Sequence, residues 1–303
     1  MPRDGDQEKR RAAGSSVLGA VALTVLKIVV GVATNSLGIL AEAAHSALDL
    51  VAAIVTWFAV RVSGKPADRT HLYGHGKVEN LSALFETLLL LATCLWIING
   101  AVKRLLTGTT EVEVNVWSFA VMLTSIAVDI SRSRVLYRAA RKYKSQALEA
   151  DALHFSTDIW SSAVVILGLV CVKVGELNPG LAVLRRADAA AAILVALIVV
   201  KVSFQLGNRA VHSLLDGAPT GMDARIIAAV EAVPGIRDCH HVRARYSGAQ
   251  LFVDVHVLVD GNQTLKEAHD LTERVEEAIQ RLEPNADVTV HAEPGAVEEA
   301  LGE

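Results

Sequence analysis

Six stretches of this chain are predominantly apolar, at roughly residues 15–35, 38–62, 81–105, 114–136, 147–174 and 187–211. About 20 such residues wind into a helix long enough to cross the ~30 Å hydrocarbon core of a bilayer. In hydrocarbon each segment has to satisfy its own backbone amides, so the pattern predicts membrane-spanning helices. Of the 303 residues 52% are hydrophobic, and the excess falls before about residue 215. The remainder of the chain has the balance of a water-soluble module. The expected organisation is a cytoplasmic tail at 1–12, a six-helix transmembrane domain at 13–214 and a cytoplasmic metal-binding regulatory domain at 215–303.

Basic residues set the expected orientation. Lys9, Arg10 and Arg11 precede the first span, Arg61, Lys65, Arg69 and Lys77 come after the second, and Arg132, Arg134, Arg138, Arg141, Lys142 and Lys144 come after the fourth. With six spans these segments share one side, which should be cytoplasmic. Both termini then face the cytoplasm, although Lys103, Arg104, Arg185 and Arg186 soften the contrast. The N-terminal segment lacks a small-residue cleavage site after the first apolar run, so that run reads as a retained span. Cys94, Cys171 and Cys239 are scattered and suggest buried apolar residues, not a disulfide framework. A net charge of −4, unevenly distributed, gives no nucleic-acid footprint.

The soluble tail alternates between two periodicities. "MDARIIAAVEAV" has helical spacing and ends at Pro234 and Gly235. "IRDCHHVRARY" reads as a strand, and "LFVDVHVLVD" puts Leu251, Val253, Val255, Val257 and Val259 on one face. "TLKEAHDLTERVEEAIQRL" is an amphipathic helix with Thr264 as N-cap and Glu267 three residues on. "ADVTVHAE" alternates again. The order αββαβ predicts a small sheet with helices on one face, a compact α+β module.

Two spans hold groups that hydrocarbon disfavours. "AEAAHSALD" carries Glu42, His45 and Asp49, and "ADALHFSTD" carries Asp151, His154 and Asp158. On a helix, positions i and i+4 share a face, so each span presents one imidazole beside one carboxylate. If the two helices pack together, His45, Asp49, His154 and Asp158 converge as two nitrogen and two oxygen donors. That set suits a tetrahedral divalent transition metal such as Zn2+. Glu42 and Asp151 are expected to be solvated charges near the span ends, or else supporting partners of the site or an entry path to it, Lys27 a snorkelling or counterion group, and Asp129 an intramembrane acid or an ion-pair partner of Arg132. The loop "PADRTHLYGHGK" groups Asp68, His71 and His75, which can bind one metal. In the tail His256, His291 and Glu293 lie opposite the buried valines, and His240 and His269 can join them in a surface metal site.

Together these residues resemble the cation diffusion facilitator family of metal/proton antiporters, its bacterial zinc exporters in particular. The likeness covers nearly the whole chain and rests on "ILAEAAHSALDL", "PADRTHLYGHGKVE", "ADALHFSTD" and "SLLDGAPT". It implies six spans, a cytoplasmic metallochaperone-like domain and a homodimer in the bacterial inner membrane. It implies a midplane transport site at His45, Asp49, His154 and Asp158, and a loop site at Asp68, His71 and His75. A regulatory cluster at the dimer interface is carried over to His240, His256, His269, His291 and Glu293. Lys77 and Asp216 match a charge pair that ties the membrane halves of the dimer together in relatives.

The expected function is secondary active export of Zn2+ from the cytoplasm against inward protons, not enzyme catalysis. Zn2+ is both substrate and regulatory ion. Cd2+, Co2+, Ni2+, Fe2+ and Mn2+ are the alternative cargoes, and a metal sensor without transport is the alternative class. A membrane-embedded metal hydrolase would need an open metal position and a catalytic base, and four protein ligands leave neither.

Overall fold

The computed structural model describes residues 4–107, 116–177 and 187–295. The chain divides into two compact units, Met1–Val211 and His212–Glu303. The expectations for Arg185 and Arg186, and for the side chains of Arg104 and Cys171, lie outside the described residues.

Among the described residues, six long helices occupy the first part of the chain: α1 (Asp4–Ala33), α2 (Leu37–Ser63), α3 (Lys77–Thr107), α4 (Val116–Tyr143), α5 (Gln146–Leu177) and α6 (Ala187–Leu214). α1 begins well before the first apolar run, because its polar turns have partners elsewhere. Lys9 Nζ lies 2.9 Å from Glu79, and Glu8 accepts from Lys142 Nζ at 2.7 Å and from the Tyr143 hydroxyl. Short turns return the chain antiparallel. At the α1–α2 turn Asn35 takes φ 50°, and the Ser36 side chain accepts from the Ile39 amide. At the α4–α5 turn Lys144 takes φ 51° and Ser145 Oγ accepts from the Leu148 amide. Helix α1 packs on α2 and α4, α5 on α2, α3 and α4.

This unit is inverted relative to a water-soluble bundle. Large apolar side chains face outward, with Leu18 72%, Phe204 70% and Trp96 69% exposed. Polar groups line the interior, among them Thr24, Lys27, Ser46, Thr56, Glu79 and Glu86. An apolar exterior of this extent needs a lipid covering. Among the described residues, Gly5–Ala33, Glu42–Ser63, Lys77–Gly100 and Ile193–Leu214 are long and apolar enough to cross on composition alone. Helices α4 and α5 carry more charge, including Asp129, Arg132 and Arg134 on α4 and Glu149, Asp151 and Asp158 on α5.

The second unit contains α7 (Met222–Glu231), β1 (Asp238–Ser247), β2 (Gln250–Asp260), α8 (Leu265–Leu282) and β3 (Asp287–Gly295). The sheet order is β1-β2-β3, antiparallel between the first two strands and parallel between the last two. Strand β2 alternates buried and half-buried residues without a break. Its buried face, Leu251 to Val259, packs with Ile226 and Val230 of α7 and Leu271, Val275 and Ile279 of α8. Helix α8 starts in a full capping box, with Thr264 and Glu267 exchanging side chain and backbone bonds. The αββαβ expectation therefore holds. With both helices on one face, the other face of the sheet is left for histidines.

Candidate metal centres

The apolar spacing that makes α2 and α5 spanning helices also aims His45 with Asp49, and His154 with Asp158, along one face each. Packing of α2 on α5 brings the two faces together. His154 Nε2 lies 3.1 Å from Asp49 Oδ1 and 3.7 Å from Asp158 Oδ2. His45 Nε2 lies 4.0 Å from Asp49 Oδ1 and 3.9 Å from Asp158 Oδ1. All four are shielded, from His154 at 4% side-chain exposure to His45 at 26%. Each imidazole faces both carboxylates, an arrangement in which two protons or one dication can balance the acids. Four donors held at ~2.0–2.1 Å from one ion at tetrahedral angles stand ~3.4 Å apart. The four imidazole–carboxylate separations of 3.1–4.0 Å lie around that edge. One ligand atom each of His45, Asp49 and Asp158 lies within 4.8 Å of the others, and His154 joins them through its contacts with the two carboxylates.

The surrounding polar groups divide differently from the sequence expectation. Lys27 is buried, with Nζ 3.3 Å from Glu42 and 2.8 Å from the Ser46 hydroxyl, so it is a counterion inside the bundle. Asp151 is not a solvated charge. It is fully buried and accepts from the Ser16 hydroxyl at 3.2 Å, which in turn accepts from Arg132. Asp129 pairs with Arg132 at 3.3 Å. Two buried acids had no place in the sequence expectation. Glu86 on α3 accepts from Thr56 at 2.8 Å, its other oxygen has no partner among the described residues, and it lies within electrostatic reach of His154, Asp49 and Asp158. Glu79 gathers Lys9 and the hydroxyls of Ser63 and Ser145.

The α2–α3 loop forms a second group. Asp68 Oδ1 accepts from the Thr70 hydroxyl and from the Thr70 and His71 amides, each at 2.8 Å. Those bonds, the hydroxyl's foremost, hold the Asp68 carboxyl well below the usual range. Its two oxygens lie 3.5 Å from His71 Nδ1 and 3.5 Å from His75 Nε2, and Gly74 at φ 75° folds the loop over them. The ligand atoms of Asp68, His71 and His75 are close enough to share one ion.

On the open face of the small sheet, strand register does what helix spacing does in the membrane. His240 pairs with His256 across β1–β2, and His256 with His291 across β2–β3. Glu293 reaches back over the row, with Oε1 2.7 Å from His256 Nδ1 and Oε2 3.3 Å from His240 Nε2. Asp238 holds His240 Nδ1 at 2.8 Å. The Asp238 hydrogen bond and the Glu293 charge raise the His240 pKa, and the His256 hydrogen bond lowers that of Glu293. His269 is elsewhere, on α8, 3.5 Å from Glu273. His241, which strand alternation assigns to the other face, sits in a bulge and joins His240 and His256. Asp216 pairs with Arg245 at 3.1 Å within the second unit.

An apolar exterior around a shielded His2Asp2 cluster, in a chain that also carries a separate histidine-bearing module, is the pattern of an integral membrane protein. Residues 15–215 match the model of the cation efflux transmembrane domain and residues 220–295 that of the cation efflux protein cytoplasmic domain. The cation-efflux pump FieF of Klebsiella pneumoniae is 33% identical over 290 residues, covering 95% of this chain and 93% of the relative. The FieF pump of Cronobacter sakazakii is 32% identical over 302 residues, covering 98% and 96%. A solved structure described as MamM-CTD matches at 35% identity over 24% of this chain and 95% of its own, with a TM-score of 0.24. The chain belongs to the cation diffusion facilitator family and is a metal cation efflux transporter.

Proposed function

We propose that this transporter exports Zn2+ from the cytoplasm in exchange for inward protons, through a site made by His45, Asp49, His154 and Asp158. The observation that carries the reading is the meeting of two imidazoles and two carboxylates between α2 and α5, each imidazole 3.1–4.0 Å from both carboxylates. A closed four-donor set of nitrogen and oxygen favours Zn2+ over Mg2+ or Ca2+, which take six or more oxygens. Metal binds when the imidazoles are neutral and the carboxylates ionised. Protons arriving from the outer side compete for those atoms and eject the ion, since an ordinary imidazole titrates near ~6.5. Each cargo biases the packing of the spans toward one side, which is the population shift that antiport requires.

In the same reading the protein is a homodimer in the inner membrane with both termini cytoplasmic, and Lys77 and Asp216 contribute a charge pair between its halves. Asp68, His71 and His75 form a loop site beside the second span. His240, His256, His291 and Glu293, with His269 supplied across the dimer, bind regulatory Zn2+. The test is uptake into proteoliposomes of wild type, Asp49→Ala and Asp158→Ala, with Zn2+, Cd2+, Co2+, Ni2+, Fe2+ and Mn2+ supplied in turn. Zn2+ should give the fastest wild-type flux and both variants should lose it. Equal flux in all three proteins would overturn the site, and a faster ion would overturn the cargo.

A further inference from the structure

His241 has no role in the transport site, the loop site or the row of paired strand positions. In a regular strand its side chain would point away from His240. The register slips between His240 and Arg243, and His241 takes φ 49°, a left-handed conformation that few non-glycine residues adopt and that histidine, asparagine and aspartate tolerate best. The bulge turns its imidazole onto the face that His240 and His256 share. Such bulges re-aim side chains.

We propose that His240, His241 and His256 form an all-imidazole site of their own for a divalent transition metal of the zinc, nickel and copper class, with a fourth position open. The ligand atoms of the three lie within 4.8 Å of one another. Their ring centres are 5.1 Å (His240–His241), 5.2 Å (His241–His256) and 5.8 Å (His240–His256) apart. Three imidazoles bound to one ion at ~2.0–2.1 Å and tetrahedral angles place their ring centres ~5.2 Å apart. Two carboxylates supply the outer support that metal-bound histidines use, with Asp238 on His240 Nδ1 at 2.8 Å and Glu293 on His256 Nδ1 at 2.7 Å. With Nδ1 held in this way, His256 keeps Nε2 as its ligand atom, and His240 Nε2, 3.3 Å from Glu293 Oε2, exchanges that contact for the ion.

A second triad, His256, His291 and Glu293, shares His256. One imidazole serves one ion, so the two triads are alternative seats. The mixed seat uses Glu293 as a ligand and the all-imidazole seat uses it as the holder of His256. Imidazole donors favour zinc, nickel and copper, whereas a carboxylate in the set admits harder ions such as Mn2+. His241 therefore selects which metals reach the module. This extends the regulatory-cluster reading above and is independent of zinc–proton exchange.

The test uses the full chain with Asp49→Ala and Asp68→Ala to silence the other two centres. Cu2+ reports its nitrogen ligands by pulsed electron paramagnetic resonance, and Zn2+ affinity is read by calorimetry. The parent should show three imidazoles. His241→Asn keeps a residue that tolerates the left-handed backbone, and should show two imidazoles with Zn2+ bound at least ~10-fold more weakly. His291→Ala should keep all three, and His256→Ala should lose both seats. An unchanged nitrogen count and affinity in His241→Asn, with loss in His291→Ala, would overturn the all-imidazole seat and leave the mixed one. No change in His256→Ala would overturn the whole cluster, without bearing on transport.

Discussion

Glu79→Ala should unlock the ends of four helices. The Glu79 carboxylate is 1% exposed and takes Lys9 Nζ at 2.9 Å and the Ser63 hydroxyl at 2.8 Å on one oxygen. The Ser145 hydroxyl takes the other. These donors come from α1, the end of α2 and the turn before α5, so one side chain on α3 ties the two site-bearing helices to a common frame. Removing one partner of a buried ion pair costs ~3–5 kcal/mol, because the remaining charge stays buried. Lys9 keeps Asp6 at 3.4 Å, which places the loss toward the lower end, at ~3 kcal/mol. Replacing both members with apolar residues of similar volume removes the stranded charge, so Lys9→Met with Glu79→Leu should recover most of the loss. Unfolding of the detergent-solubilised protein by denaturant, followed by tryptophan fluorescence, gives the double-mutant cycle. A single-variant loss below ~1 kcal/mol, or a double variant as unstable as the sum of the two singles, would mean that Glu79 does not tie these helices together.

Other expectations rest on single positions. Thr56→Val removes the hydrogen bond on buried Glu86 and should cost ~1–3 kcal/mol, and Glu86→Gln, which keeps that bond but puts amide N–H donors where an oxygen has no partner among the described residues, should cost a similar ~1–3 kcal/mol in the same unfolding assay. Gly235 takes φ 103°, and a Cβ there would meet Leu271 Cδ2 at 2.8 Å, so Gly235→Ala should destabilise the second unit by ~1–3 kcal/mol, read as a lower unfolding midpoint. Thr264→Ala should cost ~1 kcal/mol at neutral pH through loss of the α8 cap. The Thr264 amide and hydroxyl hold Glu267 below its usual pKa. Its stabilising contribution is therefore full above the ordinary carboxylate range and lost as pH falls through the depressed value. The gap between wild type and Thr264→Ala should accordingly narrow in acid, and a gap that widens would contradict the cap's electrostatics.

Local periodicity carries much of this molecule into its sequence. The i, i+4 spacing put His45 with Asp49 and His154 with Asp158 before any packing was known, and only the meeting of α2 with α5 needed the structure. The alternation of Leu251 to Val259 placed the module's core, and Thr264 with Glu267 placed the start of α8. What escaped was non-local. Glu86 is one acid at the start of an apolar run, and its partner Thr56 is 30 positions earlier. Asp151 reads as a span-end charge until Ser16 on α1 closes over it. His241 escaped because a bulge breaks the period of two on which strand reasoning depends. The helical turns before residue 15 lack an apolar stripe, and their partners on α3 and α4 are distant in sequence.

In the proposed mechanism protons and Zn2+ exchange on one set of atoms. The most direct measurement of that exchange is Zn2+ flux through purified protein in sealed proteoliposomes, with the pH difference across the membrane set to zero, then to each sign, at constant metal gradient. Flux of Zn2+ should rise when the proton gradient opposes the metal's direction, reverse its response when the gradient is reversed, and move protons the other way in step. The same dependence should vanish with the flux in Asp49→Ala and Asp158→Ala. Zn2+ movement indifferent to the pH difference, or proton movement that persists without metal in those variants, would contradict the account.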